Sequence, residues 1–192
     1  MGHRFADAAL MGGGIDTQLR DKLRAIKLIV LDVDGVLTDG SIIYAGADTD
    51  IKAFHVQDGF GITLARQAGL KTAVLTGRIA AAVERRVKEL KVDFYECGHF
   101  HKIDALRNIM RAAGADKSQT LYVGDDILDL ACSPHVGVFV APANATPRVR
   151  REAAWVTTKR GGDAAVREMI DALLDAQGAL AATEDYFLGA NQ

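Results

Sequence analysis

The sequence predicts an α/β fold in which a mostly parallel sheet carries helices on both faces. Short apolar runs alternate with helical patterns along most of the chain, and the first run, KLIVLDV, lacks the polar alternation of a half-exposed strand. A chain of 192 residues suits one domain with a sizeable core. We therefore expect a single domain over residues 26–178, an N-terminal extension over 1–25 and a C-terminal tail over 179–192.

The first part of the chain is predicted to contain a helix, a buried strand and a hairpin. A polar segment that begins near Asp16 favours a short helix, and the first apolar run follows it as a strand. SIIYAG and IKAFHV are two short β-rich runs, and Gly46 and Asp48 between them favour a turn. We expect a small β-hairpin inserted after the first strand.

Helices and strands then alternate to the end of the predicted domain. DGFGITLARQAG has helical spacing and ends at Gly69, a residue suited to the end of a helix. The final AATEDYFLGANQ has no strong pattern, and we expect a loose tail. The pairs of strand and helix between them are KTAVLT with IAAAVERRVKEL, VDFYEC with KIDALRNIMRAAG, TLYVGDD with ILDLACS, VGVFVAP with TPRVRREA, and AWVTT with GDAAVREMIDALLDAQG.

The composition argues against several classes of protein. A net charge of −2, with the cations scattered, gives no indication of a nucleic acid or an acidic membrane as partner. No apolar run approaches the roughly 18 residues of a membrane span, and we recognise no leader peptide. Two cysteines, Cys97 and Cys132, do not make a disulfide framework. We therefore expect a cytoplasmic protein.

Polar and charged groups stand at the carboxyl ends of the predicted strands. In a parallel sheet these ends meet at one edge, and ligands bind where the strand order reverses. The sequence therefore predicts one site that gathers carboxylates, a hydroxyl, a helix N-terminus and two cations. Its candidate residues are Asp32 and Asp34 after the first strand, Thr76, Gly77 and Arg78 after the second, Lys102 after the third, and Asp125 and Asp126 after the fourth.

Crowded carboxylates at one site predict a bound cation, because like charges destabilise one another there. Oxygen ligands without a nearby histidine or cysteine favour Mg²⁺. This ion, Lys102, the hydroxyl of Thr76 and a helix N-terminus at Gly77 would bind a phosphate group. One carboxylate can attack phosphorus, and a second, two residues on and on the same face of an extended chain, can protonate the leaving alcohol and then deprotonate water.

The motifs DVDGVLTDG, LTGR, Lys102 and VGDDILD resemble, in the same order, the four motifs of the haloacid dehalogenase superfamily of phosphatases. The resemblance implies a Rossmann-like sheet and an aspartyl-phosphate intermediate. It also implies a role for each motif residue. These roles are nucleophile for Asp32, general acid and base for Asp34, phosphate binding for Thr76 and Lys102, Mg²⁺ binding for the Asp32 carboxylate, the Asp34 backbone carbonyl and Asp125, and support behind the metal for Asp126.

Most members of that superfamily carry a cap domain over the site, but this chain has no room for one. Only the predicted hairpin separates the first motif from its helix, and one helix and one strand fill the interval from Thr76 to Lys102. A neighbouring subunit is the simplest way to exclude water from a capless site. We therefore expect the hairpin to be an oligomerisation element.

Within the superfamily, most of the chain is similar to the family of 3-deoxy-D-manno-octulosonate 8-phosphate phosphatases. The resemblance rests on DGVLTDG, KAFHVQDGFG, LTGR, VGDD and GGDAAVREMIDALLDAQG. It implies a Mg²⁺-dependent homotetramer that releases phosphate from a sugar-acid phosphate during lipopolysaccharide precursor synthesis. The substrate contacts that it implies are His55, Val56, Gln57, Asp58, Gly59, Arg78 and Arg86.

Two departures from the family pattern leave the substrate open. Gln57 stands where many members have arginine, and Gly162, Asp163 and Ala164 stand where they have Gly-Arg-Gly. The alternatives are a phosphatase for a nine-carbon sialic-acid-type sugar 9-phosphate and a non-catalytic domain that regulates a cytidylyltransferase. A phospho-receiver signalling domain also gathers acids, a threonine and a lysine around Mg²⁺. Its phosphorylated aspartate lies on a later strand, however, whereas the candidate nucleophile here follows the first strand.

Overall fold

The first strand, β1 (Leu28–Leu31), lies inside a six-stranded sheet in the computed structural model, which describes residues 15–45 and 50–189. All four of its side chains are buried. Ile29 and Leu31 belong to one apolar core, and Leu28 and Val30 belong to a second core on the opposite face. The run lacks polar alternation because both faces of the strand are covered.

The other strands follow the predicted order. Every neighbouring pair in the main sheet is parallel, and its spatial order is β5-β4-β1-β6-β7-β8. The strand order therefore reverses beside β1, which places a ligand site at the carboxyl end of that strand. The bounds are β2 Ile43–Tyr44, β3 Asp50–Ile51, β4 Lys71–Thr76, β5 Phe94–Cys97, β6 Thr120–Val123, β7 Val138–Ala141 and β8 Trp155–Val156.

Helices cover both faces of the sheet, as predicted. The first core takes buried residues from α1, α2, α3 and α7, and the second takes them from α4, α5 and α6. Within the described residues, no helix is both long and apolar enough to cross a membrane. The bounds are α1 Thr17–Arg24, α2 Val56–Gln67, α3 Ala81–Leu90, α4 Ile103–Ala113, α5 Ile127–Leu130, α6 Pro147–Glu152, α7 Ala165–Ala176 and α8 Leu180–Leu188.

The hairpin exists, but its second strand is shorter than predicted. β2 and β3 pair in antiparallel fashion, with Ile43 opposite Ile51. The chain leaves β3 after Ile51, and α2 begins at Val56, two residues before the predicted Asp58. The predicted turn residues, Gly46 and Asp48, lie outside the described residues.

The C-terminal segment was wrongly predicted as a loose tail, because Leu180–Leu188 form the helix α8. Thr183 is buried, and the ring of Phe187 packs edge-on against Phe60 of α2 with their centroids 5.2 Å apart. Leu188 is 78% exposed, so the segment lacks a clean apolar stripe. The helix was therefore not visible in the periodicity of the sequence.

The helix α1 lies within the predicted N-terminal extension and packs on the domain. Its residues Leu19 and Leu23 are buried in the first core. Asp16 caps it by accepting a hydrogen bond of 2.7 Å from the backbone of Leu19, which agrees with the predicted start. Arg20 forms an ion pair of 2.7 Å with Asp175 of α7.

Candidate active site

Asp32 is the first residue after β1, and the sheet fixes its backbone. Its N–H donates to the carbonyl of Val123 at the end of β6, over 3.1 Å. Its side chain is buried, and Oδ1 lies 2.8 Å from Nζ of Lys102. The predicted nucleophile therefore lies at the reversal point of the sheet with a cation in contact.

Lys102 is the N-cap residue of α4, and its side chain is 3% exposed. Its ammonium contacts two carboxylates, Asp32 at 2.8 Å and Asp129 at 2.6 Å. Burial by itself lowers the pKa of Lys102, but the charges and hydrogen bonds of the two carboxylates outweigh it, so the pKa is raised. The ammonium therefore stays charged between the two acids.

Asp129 is a site residue that the sequence prediction missed. It lies on α5, is buried, and accepts a 2.8 Å hydrogen bond at Oδ1 from the hydroxyl of Tyr122 on β6. Its other oxygen accepts the backbone N–H groups of Asp125 and Asp126, over 3.2 and 3.3 Å. The sequence GDDILD did indicate it, because Asp129 follows Asp125 by four residues, and residues four apart lie on the same side of a helical turn.

Asp126 does not take the supporting role that was predicted for it. Its side chain is exposed and accepts a 2.7 Å hydrogen bond from the backbone of Ile127, so that it caps α5. Asp129 is the acid that holds this loop, because it accepts hydrogen bonds from the backbone of Asp125 and Asp126.

Three carboxylates could hold a metal ion at this edge. Oxygens of Asp32, Asp125 and Asp129 all lie within 4.8 Å of one another. Burial, followed by the charge of Asp129, raises the pKa of both Asp32 and Asp125 to about 7, and in Asp32 Lys102 opposes this rise. A set of crowded oxygen donors with raised pKa values fits a hard divalent cation such as Mg²⁺, which would offset the repulsion.

The turn after β1 brings the backbone against this group of acids. Gly35 has φ +82°, and a Cβ at this position would lie 2.1 Å from Oδ2 of Asp125. Asn144 holds the turn from the other side, because its amide donates to the Gly35 carbonyl over 2.9 Å and accepts from Gly161 over 2.6 Å. Only glycine satisfies both the conformation and the close approach.

Asp34 lies in the turn and faces different cations from Asp32. The strand ends at Leu31, so the two aspartates do not lie on one extended stretch as predicted. The Asp34 carboxylate pairs with Lys52, and its second oxygen lies 3.8 Å from Nε of Arg78. Lys52, which the sequence prediction did not include, is therefore part of the site.

Thr76 ends β4 and is buried, with its hydroxyl accepting a 3.3 Å hydrogen bond from the backbone of Arg78. Gly77 is exposed, and the prediction of a helix N-terminus there is wrong. The helix α3 begins at Ala81, after an intervening bend. Thr76 therefore adjoins the site, but the predicted helix dipole does not begin at Gly77.

The structure does not bring the five predicted residues of the substrate loop to one point. Val56 is 80% exposed and lines a groove of about 340 Å³, whereas Gln57 lines a different groove beside α7. His55 precedes α2 as its N-cap residue. Asp58 is buried and accepts a 2.8 Å hydrogen bond from the backbone of Arg167, so its side chain caps α7 and is not presented to a ligand.

Arg86 lies on α3 against the beginning of α2. Its guanidinium lies over the ring of Phe54, 5.8 Å from the centroid, and Nη1 lies 3.5 Å from Oε2 of Glu89. The Arg86 guanidinium lies against Gly59, and a side chain at that position would require the guanidinium to move. Arg86 and Lys52 line the same groove of about 340 Å³ as Val56.

The site has counterparts in known proteins. Residues 96–170 match the model of a haloacid dehalogenase-like hydrolase family. The 3-deoxy-D-manno-octulosonate 8-phosphate phosphatase of Haemophilus influenzae is 39% identical over 160 residues, which cover 83% of this chain and 89% of that protein. The enzyme of the same name from Escherichia coli K12 is 38% identical over 175 residues, with 91% and 93% covered.

Solved structures resemble this chain with sequence identities close to those of these two enzymes. A 3-deoxy-D-manno-octulosonate 8-phosphate phosphatase from Moraxella catarrhalis, in complex with a magnesium ion, a phosphate ion and a KDO molecule, is 38% identical, with a TM-score of 0.85. The match covers 88% of this chain and 98% of that chain. A cobalt-bound deoxy-D-mannose-octulosonate 8-phosphate phosphatase from Haemophilus influenzae is 40% identical, with a TM-score of 0.81 and coverage of 84% and 94%. This chain therefore belongs to the 3-deoxy-D-manno-octulosonate 8-phosphate phosphatase family of haloacid dehalogenase-like hydrolases, and is a phosphatase.

Proposed function

We propose that the protein hydrolyses 3-deoxy-D-manno-octulosonate 8-phosphate to the free sugar acid and phosphate, with Mg²⁺ and through an aspartyl phosphate on Asp32. The observation that carries the chemistry is the Lys102 ammonium between Asp32 and Asp129, with Asp125 in the same group, at the reversal point of the sheet. The substrate follows from the family, whose members share 38–39% of their residues with most of this chain.

The reaction starts with attack by a carboxylate oxygen of Asp32 on phosphorus. The bond from phosphorus to the sugar oxygen breaks, and Asp34 gives a proton to that oxygen. Lys102 orients Asp32 by its 2.8 Å contact and places positive charge beside the phosphoryl oxygens. Bound Mg²⁺, held by the carboxylates of Asp32 and Asp125 and the backbone carbonyl of Asp34, would supply the larger part of the charge that the phosphoryl group requires.

The second step restores the enzyme. Asp34 takes a proton from a water molecule, whose oxygen attacks phosphorus, and the bond between phosphorus and Asp32 breaks. We assign phosphate binding to Thr76, which is buried at the end of β4, and to Gly77, which follows it. Gly35 allows the backbone after β1 to approach Asp125 closely. Phosphate then leaves, and Asp32 is again a free carboxylate.

The sugar acid carries a carboxylate as well as its phosphate, and two arginines suit it. Arg78 is partly exposed beside Asp34, and Arg86 lines the groove next to Lys52. A planar guanidinium binds a carboxylate through two parallel hydrogen bonds. We assign both arginines to substrate binding, together with the exposed part of the loop from His55 to Gly59.

The hairpin supports a second part of the proposal, that the protein is a homotetramer in which a neighbouring subunit closes the site. Ile43 and Ile51 are each 49% exposed, and Tyr44 is 72% exposed. Ile43 and Ile51 lie opposite each other in the hairpin, and such exposed apolar residues suit contact between copies of the chain. We also infer a cytoplasmic location, in which Cys97 and Cys132 remain thiols, and a role in lipopolysaccharide precursor synthesis.

The test is a comparison of kcat/KM across eight-carbon and nine-carbon sugar-acid phosphates and simple hexose phosphates, with Mg²⁺. We expect the eight-carbon sugar acid to be preferred by about 10-fold or more, since one extra carbon unit in a pocket changes specificity by about that factor. A preference for the nine-carbon substrate would support the sialic-acid-type alternative, which the glutamine at position 57 keeps open. A preference for hexose phosphates would contradict both.

Light scattering tests the assembly. A tetramer whose specific activity falls on dilution is the expected result, because each site needs its neighbour. A fully active monomer would contradict the role assigned to the hairpin.

A further inference from the structure

Lys52 is a buried cation that has no role in the two reaction steps proposed above. It directly follows β3, so the hairpin returns the chain to the active site at this residue. Its side chain is only 2% exposed, and its ammonium pairs with Oδ1 of Asp34. An ammonium so enclosed is strongly unfavourable without a partner, and Asp34 provides one.

A second cation faces the other oxygen of the same carboxylate. Nε of Arg78 lies 3.8 Å from Oδ2 of Asp34. Arg78 lies in the exposed bend after β4, and its side chain is 42% exposed, whereas that of Lys52 is 2% exposed. Lys52 is therefore the more enclosed of the two cations. With one cation at each oxygen, the plane of the Asp34 carboxylate is set by contacts from two different parts of the chain.

The simplest alternative is that Lys52 only anchors the hairpin to the domain. An ion pair that only anchored the hairpin would not require a carboxylate that takes part in the reaction. A buried ion pair is also, by itself, weak evidence for stability. Lys52 contacts Asp34, the second aspartate of DVDGVLTDG, and it also lines the groove of about 340 Å³ that contains Arg85 and Arg86. Lys52 therefore lies between Asp34 and this groove.

We propose that Lys52 is a positioning residue, which holds the Asp34 carboxylate in the orientation from which it exchanges a proton with the leaving sugar oxygen. This inference rests on the proposed function, in which Asp34 is the general acid and base. It gives the hairpin a role within each subunit, because β3 delivers Lys52 to Asp34. Removal of the ammonium would leave Asp34 in place, with only the more distant contact to Arg78 to orient its carboxylate.

The experiment compares two phosphate esters in single turnovers, so that only the first chemical step is measured. A sugar phosphate has a poor alkoxide leaving group that needs a proton, whereas nitrophenyl phosphate releases a stable anion without one. Lys52→Met removes the charge and keeps the length of the side chain, and Lys52→Arg keeps the charge. Lys71→Met is the matched control, because it removes a lysine from an ion pair with Asp93 on the exposed start of β4.

For Lys52→Met, we expect release of the sugar to slow by about 10- to 100-fold, a part of the roughly 10²- to 10⁴-fold that a general acid contributes. Release of nitrophenolate should slow by less than about 3-fold, since it does not need the proton that Asp34 donates. Lys52→Arg should recover most of the sugar rate, and Lys71→Met should match the wild type. Lys52→Gln replaces Lys52→Met in the same comparison if the methionine variant does not fold.

The outcomes separate this inference from the proposed function. An equal loss with both esters, or no loss with either, would overturn the positioning role while the active wild type upheld the phosphatase. A wild type that cleaves neither ester would overturn both. Failure of Lys52→Arg to recover activity would also contradict the role, because a retained cation should still orient Asp34.

Discussion

Asp32, Lys102 and Asp129 are almost completely buried, whereas Val56 and Gln57, on the side predicted to contact the sugar, are exposed. The buried group is held by strand ends and by direct contacts of 2.6 and 2.8 Å between charged atoms. The exposed residues lie at the start of α2 and line separate grooves. One chain thus fixes the reacting groups rigidly and leaves the recognition surface open.

Chemistry and specificity are thus assigned to separate parts of a capless site. Preorganised charges at the phosphoryl position depend only on the sheet and its adjoining helices. The groove that would receive the sugar is bounded by the hairpin side and α3, and a neighbouring copy could complete it. We therefore expect changes at the sheet end to affect all phosphate esters, and changes on the groove side to affect only some.

Apart from removal of the nucleophile itself, the largest effect is expected for Asp129→Asn. Asparagine removes one of the two carboxylates that contact Lys102, and it removes the anionic acceptor of the Asp125 backbone N–H. Activity should therefore fall by about 10³-fold on every ester, in the range seen for loss of an electrostatic group in an active site. The measurement is kcat/KM with the sugar-acid phosphate and with nitrophenyl phosphate. Asp126→Asn, which changes only the exposed cap of α5, is the control and should retain activity within about 3-fold. A larger loss in the control would reverse the roles of the two acids.

A smaller and more selective effect is expected for Arg86→Met. Loss of the guanidinium should raise KM for the sugar-acid phosphate by about 10-fold, the value of a charged hydrogen bond, and leave nitrophenyl phosphate nearly unchanged. Arg107→Met, on the exposed face of α4, is the control. Equal changes with both esters would show that Arg86 supports the fold and does not select the substrate.

Asp58 should matter for stability and not for substrate binding. Asp58→Ala removes the carboxylate that caps α7 and should lower the free energy of unfolding by about 1 kcal/mol, whereas Asp58→Asn keeps an acceptor and should lose less. Denaturant unfolding measures both. An unchanged stability in Asp58→Ala, together with a raised KM, would restore the predicted substrate contact.

The pH dependence of the same variants gives an independent check. Burial raises the pKa of Asp58 in the folded protein. The stability that this shift contributes is therefore full below the unfolded pKa of about 4 and is lost as the pH rises through the raised pKa. Asp58→Asn should remove this decline. A decline of equal size in both proteins would assign it to another group.

The smallest effect is expected at Ala164, which has φ +70° immediately before α7. A side chain is strained in this region, so Ala164→Gly should raise the free energy of unfolding by about 0.5 kcal/mol. Ala165→Gly, one residue into the helix, should lower it by about 1 kcal/mol. Thermal unfolding of the two variants gives the comparison, and a loss of stability in both would show that Ala164 is not strained.

Residues at strand ends could be predicted from the sequence, because an apolar run that stops at an acid marks both the strand and the direction of its end. Asp32 and Asp125 were found in this way, and Lys102 was found as the lysine that opens the helix after the third strand of the predicted site. Asp129, Lys52 and Asn144 were missed, since each acts through a contact that depends on the folded path. Lys52 is 18 residues from Asp34 and Asn144 is 109 residues from Gly35.

The errors have local physical causes. The bend between Thr76 and Ala81 delays the start of α3, so the glycine of LTGR does not lie at a helix end. The helix α8 was missed because its apolar residues do not form one buried stripe. In both places the boundary depends on packing that spacing along the chain does not report.

Asp32→Asn is the decisive variant for covalent phosphoryl transfer to the buried acid after β1. The measurement is release of phosphate from the sugar-acid phosphate with Mg²⁺, beside the wild type and with folding verified. The amide cannot attack phosphorus, so we predict a loss of about 10⁴-fold or more, as for other removed nucleophiles. Turnover of Asp32→Asn at the wild-type rate would contradict the assignment.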